Sequence, residues 1–285
     1  MAIREFKLVN DKGQEYSFMD IKNYALLTKP TGLGMEFKKE YTQVGNTFIE
    51  TFSKITQKKI QGTLIFSNYD NYRNLVDFIN TSNLLKLYYK VPYKRGIRLF
   101  YKTVSIDLLD KTEIDEDGYI RESIRINSLS LWCEETQATY RIVNKDGEVR
   151  WDFKWDSKFA SYDARSLVYI NKGHVESAIR IEISNNVQNP VIRLFVDGEE
   201  KQTVRINTLI NNHEKLVYSS KENEFEISRV LADGTKENLF SLDTIDFSQD
   251  NVIRIPKNVR CEIRLTADNN IKDAIATIYT YYVAV

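Results

Sequence analysis

The chain has 285 residues, 42% of them hydrophobic, and its 40 Lys and Arg balance 40 Asp and Glu. That length suits two domains or one large β-rich one, and the balanced charge lacks the cationic excess that a nucleic-acid reader or an anionic-membrane binder needs. Cys133 and Cys261 allow one disulfide at most, no apolar run approaches the ~20 residues of a membrane helix, and the opening MAIREFKLVN has no signal-like pattern, so a soluble chain made in a reducing compartment is expected.

In chain order, EFKLV and EYSFM flank Asn10 to Gly13 and read as a hairpin. The stretch TKPTGLGMEF, Thr28 to Phe37, then gathers Pro30, Gly32 and Gly34. Proline gives up its N–H and glycine reaches positive φ or admits a close backbone, so the chain must bend or pack tightly here and cannot be an ordinary strand interior. A phosphate-cradling loop would open a helix, whereas MEFKKEY alternates like a strand. MEFKKEYTQ and TFIETF flank Val44 to Asn46 as a second hairpin.

SNYDNYRNLVDFIN predicts the one clear helix. Tyr69, Tyr72, Leu75, Val76 and Ile79 share a face opposite Asp70, Arg73 and Asp77; Ser67 and Asp70 give a capping-box-like start, and Thr81 to Asn83 an exit. The aromatic stripe reads as core. Beyond it, Val104, Ile106 and Leu108 alternate with Ser105 and Asp107, and YIRESIRI returns with Ile120, Ile124 and Ile126 on one face, a third hairpin turning at Asp117-Gly118.

After Trp132, which ends the pattern SLSLW, nearly every segment resembles a short strand. Ile179, Ile181 and Ile183, then Ile192, Leu194 and Val196, then Cys261, Ile263 and Leu265 alternate with polar residues, and Asp146-Gly147, Asp197-Gly198 and Asp233-Gly234 punctuate them. Short, evenly spaced strands predict a β-sandwich, with the boundary near Glu134 to Ala138.

Chemistry is sparse. His174 and His213 show no paired metal-ligand spacing, there is no G-x-S-x-G elbow, and both cysteines lie in strand-like contexts that suit buried thiols. The acidic run Asp107, Asp110, Glu113, Asp115, Glu116 and Asp117 lacks the alternating donors of an EF-hand loop and reads as a solvated hairpin tip. In WDFKW, Trp151 and Trp155 share a face with Phe153, forming a core row or an exposed edge for a glycan or a partner.

Taken in order, the N-terminal hairpin, TKPTGLG, GTLIFSNYDNYRNLVDFIN leading into LLKLYY, LLDKTEID and SLSLW resemble the siphophage distal tail protein family. ESAIRIEISNNVQNPVIRLF, VIRIPKN and ATIYTYYVAV are similar to that family's C-terminal domain, so the resemblance spans essentially the whole chain. It implies a mainly β chain: an N-terminal β-sandwich with one α-helix and an extended β-hairpin arm over residues 1–134, then a galectin-like β-sandwich over 135–285.

It further implies a homohexameric ring of N-terminal domains in the tail tip or baseplate of a virion, assembled in the host cytoplasm. The ring would join the tail tube protein to the tape-measure protein, a tail-associated lysin or tip protein and a receptor-binding protein. DNA would pass through its channel unread, and the C-terminal domains would project as docking points. No catalysis, cofactor, metal or membrane is implied.

The candidate arm is VSIDLLDKTEIDEDGYIRESIRI, with Ile114, Asp115, Glu116, Asp117, Gly118 and Tyr119 as its interface tip, since a protruding strand pair can extend a neighbour's sheet. The Gly32 and Gly34 bend would let the chain turn where ring surfaces crowd. No room remains for an inserted sugar-binding domain, as some relatives carry. The alternatives are a carbohydrate-binding protein using the C-terminal sandwich and, more distantly, a glycan hydrolase.

Overall fold

The computed structural model describes residues 4–56, 58–94, 96–141, 165–269, 271 and 273–285. Two units result: Met1–Glu134 together with Tyr281–Val285, and Glu135–Thr280. Trp151, Trp155 and the Asp146-Gly147 turn lie outside the described residues.

The first unit contains β1 (Glu5–Asn10), β2 (Glu15–Ser17), β3 (Leu26–Thr31), β4 (Phe37–Val44), β5 (Thr47–Ile55), β6 (Lys59–Phe66), α1 (Tyr69–Asn80), β7 (Leu85–Tyr93), β8 (Gly96–Leu109), β9 (Ile120–Ser128) and the start of β10 (Trp132–Arg141). All pairings are antiparallel. One layer runs β2-β1-β7-β8, with β10 meeting β8 at Cys133↔Tyr101. The other runs β3-β6-β9 and joins β8 beyond Val104, so the 14-residue β8 leaves one layer and enters the other. Phe6, Leu8, Leu87 and Phe100 from the first layer meet Leu64, Phe66, Ile120 and Ile126 from the second in one core, which Leu75 of α1 and Trp132 complete.

Local departures from the sequence reading have identifiable causes. The helix is capped by Asn68, whose side chain accepts from the Asn71 N–H at 2.8 Å, not by Ser67. A bulge between Ile106 and Leu108 inserts one residue, so Val104, Ile106 and Leu109 face the core in place of Leu108; the extruded Asp107 pairs with Lys59 at 3.1 Å. Pro30 lies inside β3, on the sheet edge, where a register shift between Thr28 and Thr31 and a positive φ of 47° at Lys29 relieve the missing ladder bond.

The second unit contains β11 (Arg165–Ile170), β12 (Ala178–Ser184), β13 (Val187–Gln188), β14 (Val191–Val196), β15 (Glu199–Arg205), β16 (Leu209–Ile210), β17 (Lys215–Ser219), β18 (Glu226–Val230), β19 (Lys236–Asn238), β20 (Arg260–Thr266) and most of β21 (Asp273–Tyr282). Its sheets run β19-β18-β17-β12-β21 and β11-β20-β14-β15, with a small β13-β16 pair. The alternating Ile179, Ile181 and Ile183 are fully buried against Ile192, Leu194, Cys261, Ile263 and Leu265 of the facing sheet. Asp197 and Gly198 both take positive φ, 51° and 90°, as a two-residue hairpin turn requires.

Candidate assembly surfaces

Among the described residues β4 and β5 pair only with each other, and every residue of β4 and all but the last of β5 are exposed. Neither strand has a clean apolar face. A bulge between Glu40 and Tyr41 leaves Phe37, Tyr41, Phe48 and Ile55 on one side and Val44, Ile49 and Phe52 on the other, interleaved with Lys38, Lys39, Glu50 and Lys54. Phe48, near the tip, is 70% exposed. A two-stranded ribbon of about 26 Å is only marginally stable by itself in water. This one holds its register through Lys39 and Glu50, 2.7 Å apart, and through its base.

The base is rigid. Thr56 donates its N–H and its hydroxyl to the Glu36 carbonyl, both at 3.0 Å, closing the two ends together. Just before it, Gly32 takes φ +81°, and a Cβ there would sit 2.0 Å from the Lys59 carbonyl oxygen. Gly34 has open space around it and no positive φ, so the two glycines of the bend are not equivalent. Leu33 between them packs on the core, and its carbonyl accepts from the Trp132 indole N–H at 3.3 Å. A glycine, a buried tryptophan and a closed backbone pair therefore fix where the ribbon leaves the sheet.

Trp132 also carries Lys102, whose ammonium lies 4.7 Å from the ring centroid and 3.4 Å from the Ser128 hydroxyl. Lys102 is 4% exposed, and burial pulls its amino group down to about 8. Below pH 8 both the folded and the unfolded chain hold the proton, and folding bears the full cost of burying it. Between 8 and the unfolded value only the unfolded chain binds it, so stability rises with pH. Replacing Lys102 with Met is expected to flatten this rise, a difference of about 1–2 kcal/mol in the pH dependence between 8 and 9.5. Urea midpoints of both proteins across that window test it, and parallel curves would refute it.

The extended ribbon is β4-β5, not the pair β8-β9 that the sequence suggested, because both strands of the latter are built into the sandwich: Val104, Ile120, Ile124 and Ile126 are buried. What remains exposed is their connecting loop. Asp115 and Asp117 both pair with Arg121, Gly118 (φ +81°) turns the chain, and the Tyr119 carbonyl accepts from the Asp115 N–H at 2.7 Å. Tyr69 of α1 donates to Glu113 at 2.7 Å, and the fully buried Glu122 accepts from the Thr112 N–H at 2.6 Å, burial pushing its carboxyl above the ordinary range. Ile114 and Tyr119 stay exposed on this braced tip, flanking Glu116.

A groove of about 620 Å³ crosses the outer face of the first layer, lined by Met19, Tyr24, Tyr88, Ile97 and Leu99 with the pairs Lys7–Glu15 and Lys90–Glu5 at its margins. Ile97 is 63% exposed, an aliphatic side chain left in water at the end of a sheet. Among the described residues no three or more His, Cys, Asp or Glu side chains gather to hold a metal, and no helix is long and apolar enough to cross a membrane. His174 and His213 are exposed in separate turns, and Cys133 and Cys261 are buried and not joined by a disulfide.

The sequence matches the family described as distal tail protein, N-terminal domain, over residues 5–129, the stretch that builds both layers, the helix and the ribbon. Over residues 5–129 the chain is similar to the distal tail protein N-terminal domain. A chain of the phage P2 baseplate in its activated conformation with Ca is 16% identical, with a TM-score of 0.70 and 100% of each chain covered; the form with Sr gives the same values. The SPP1 Dit (gp 19.1) protein, described as a paradigm of the hub adsorption apparatus in phages infecting Gram-positive bacteria, is 9% identical with a TM-score of 0.59, over 96% of this chain and 98% of its own. At these identities the likeness is one of fold, and it extends beyond the distal tail domain into the second unit. Comparison with curated proteins gave no match.

Proposed function

We propose that the chain is a structural hub of a phage tail tip or baseplate. Six copies close a ring through their first units around a channel for DNA. The ring joins the tail tube protein to the tape-measure protein, a tail-associated lysin or tip protein and a receptor-binding protein, in the virion, after assembly in the host cytoplasm. It acts by shape, not by making or breaking bonds.

The observation that carries this reading is the β4-β5 ribbon. A ring is closed by a heterologous contact, in which an element on one side of each subunit fits a different surface of the next. The ribbon is such an element: it carries apolar residues on both faces, is marginal alone, yet is rooted at a rigid base. The groove beside Ile97 and Leu99 is the surface that receives it, apolar along its floor and charged at its margins, matching the mixed ribbon. The Ile114 to Tyr119 tip adds a smaller contact.

Light scattering and negative-stain micrographs of the full chain, alone and mixed with tail tube and tip proteins, should show six-fold rings. Replacing Phe37–Ile55 with a short Gly-Ser turn should leave single copies that melt within about 4 °C of wild type, the shift of roughly 1 kcal/mol, because Glu36 and Thr56 already close the base. Ile97→Asp with Leu99→Asp should do the same, and trimming Ile114–Tyr119 should weaken rings without unfolding the subunit. Single wild-type particles in every mixture would sink the reading.

A further inference from the structure

The second unit carries an aromatic knob that its own core does not use. The segment after β19 is pinned from inside by Leu239 and Ile245, both buried, and by backbone bonds from Thr244 and Ile245 to Ser241 at 3.1 and 2.9 Å. Held this way, it turns Phe240, Leu242 and Phe247 outward beside Phe225, which precedes β18. Leu242 is 85% exposed. Phe240 meets Phe225 at 5.3 Å and Phe247 at 4.8 Å between centroids, with ring planes at 82° and 69°. Three exposed rings in mutual contact, with Leu242 two residues from Phe240 in the chain, mark an interaction surface, and their preorganisation spares a partner the cost of ordering them.

The surrounding charge narrows the occupant. From Glu237 to Asp250 there are four acidic residues and no Lys or Arg, and Lys236, which lies beside Phe225 and Phe240, is taken up by Glu226 at 2.8 Å. Glu237 is paired with Arg229, but Asp243, Asp246 and Asp250 have no ion-pair partner among the described residues; the Asp246 carboxylate accepts from Ser248 and lies in the field of Arg205, and the Asp250 carboxylate accepts from Val252 and Gln202. Rings turned nearly edge to face offer no flat platform for a sugar ring, and a rim of three carboxylates facing one nearby cation, Arg205, favours a cationic neighbour. We infer that the Phe225, Phe240, Leu242 and Phe247 knob is a docking site for a protein partner that presents an apolar anchor flanked by Lys or Arg. The assignment rests on the second unit's own residues and holds whether or not six copies close a ring.

Two synthetic peptides with a central Leu-Phe anchor, one flanked by lysines and one by glutamates, test this by fluorescence anisotropy on the full chain. The Lys-flanked peptide should bind about tenfold tighter and weaken as salt rises. Phe240→Ser with Leu242→Ser should reduce that binding about tenfold, as expected for loss of a central anchor. Asp243→Asn with Asp246→Asn should spare the anchor but lose the preference for lysine. All four positions are exposed, so wild-type melting curves establish that the variants fold. Equal binding of the two peptides, or binding unaffected at Phe240, overturns the proposal. So does self-association that vanishes in the Phe240 variant, which would make the occupant a second copy, or glycan-array binding lost there without peptide preference, which would make it a saccharide.

Discussion

Gly32→Ala should destabilise the first unit by more than about 4 kcal/mol, in the exceptional range for one substitution. Two independent costs add. At φ +81° an alanine is strained by about 1–2 kcal/mol, and its Cβ would lie 2.0 Å from the Lys59 carbonyl oxygen and 2.9 Å from its carbon. Both obstacles are backbone atoms of β6, so relief requires the end of β3 to part from the strand it pairs with. Gly34→Ala is the internal control, expected within about 0.5 kcal/mol of wild type. Gly32→Asn separates the two costs: asparagine tolerates the left-handed region, so recovery of most of the stability would mean that φ alone matters, whereas the carbonyl contact predicts little recovery. Thermal melts of the three variants read the result, and a drop of less than about 4 °C for Gly32→Ala would refute the argument.

Trp132→Ala should be the second most damaging change, about 3–5 kcal/mol for emptying a fully buried site of this size. The indole lies 5.6 Å from the Tyr89 ring, covers Lys102 and holds the Leu33 carbonyl, so its loss opens a cavity, uncovers a buried amino group and frees the root of the ribbon. Trp132→Phe should recover part of the packing but not the bond to Leu33. If the ribbon takes its direction from that bond, Trp132→Phe will weaken ring assembly more than its modest loss of stability explains. Urea midpoints read beside ring yield separate the two effects, and an alanine variant within about 1 kcal/mol of wild type would show that the core does not depend on this side chain.

Much of the fold was legible because period-two apolar alternation reports directly on a sheet with one buried face. Ile179, Ile181 and Ile183, or Ile120, Ile124 and Ile126, could belong to little else, and all are buried. Helix α1 was readable from its stripe, though its cap was not, because Ser67 and Asn68 are both good caps and only the entering backbone chooses between them. The distal tail resemblance likewise came from the order of short motifs. The ribbon was legible as a hairpin but not as the one that stands free, although a signal existed: MEFKKEYTQ and TFIETF scatter apolar residues over both faces, which a strand with one buried face does not.

By itself, then, the sequence determined which segments become strands and which of their faces turn inward, since solvent exclusion acts on each residue locally. Tertiary structure alone decided which hairpin stands free and which of two glycines is indispensable. Those depend on what lies across the gap, a Lys59 carbonyl beside Gly32 and nothing beside Gly34, and no local pattern encodes the position of a strand some thirty residues away.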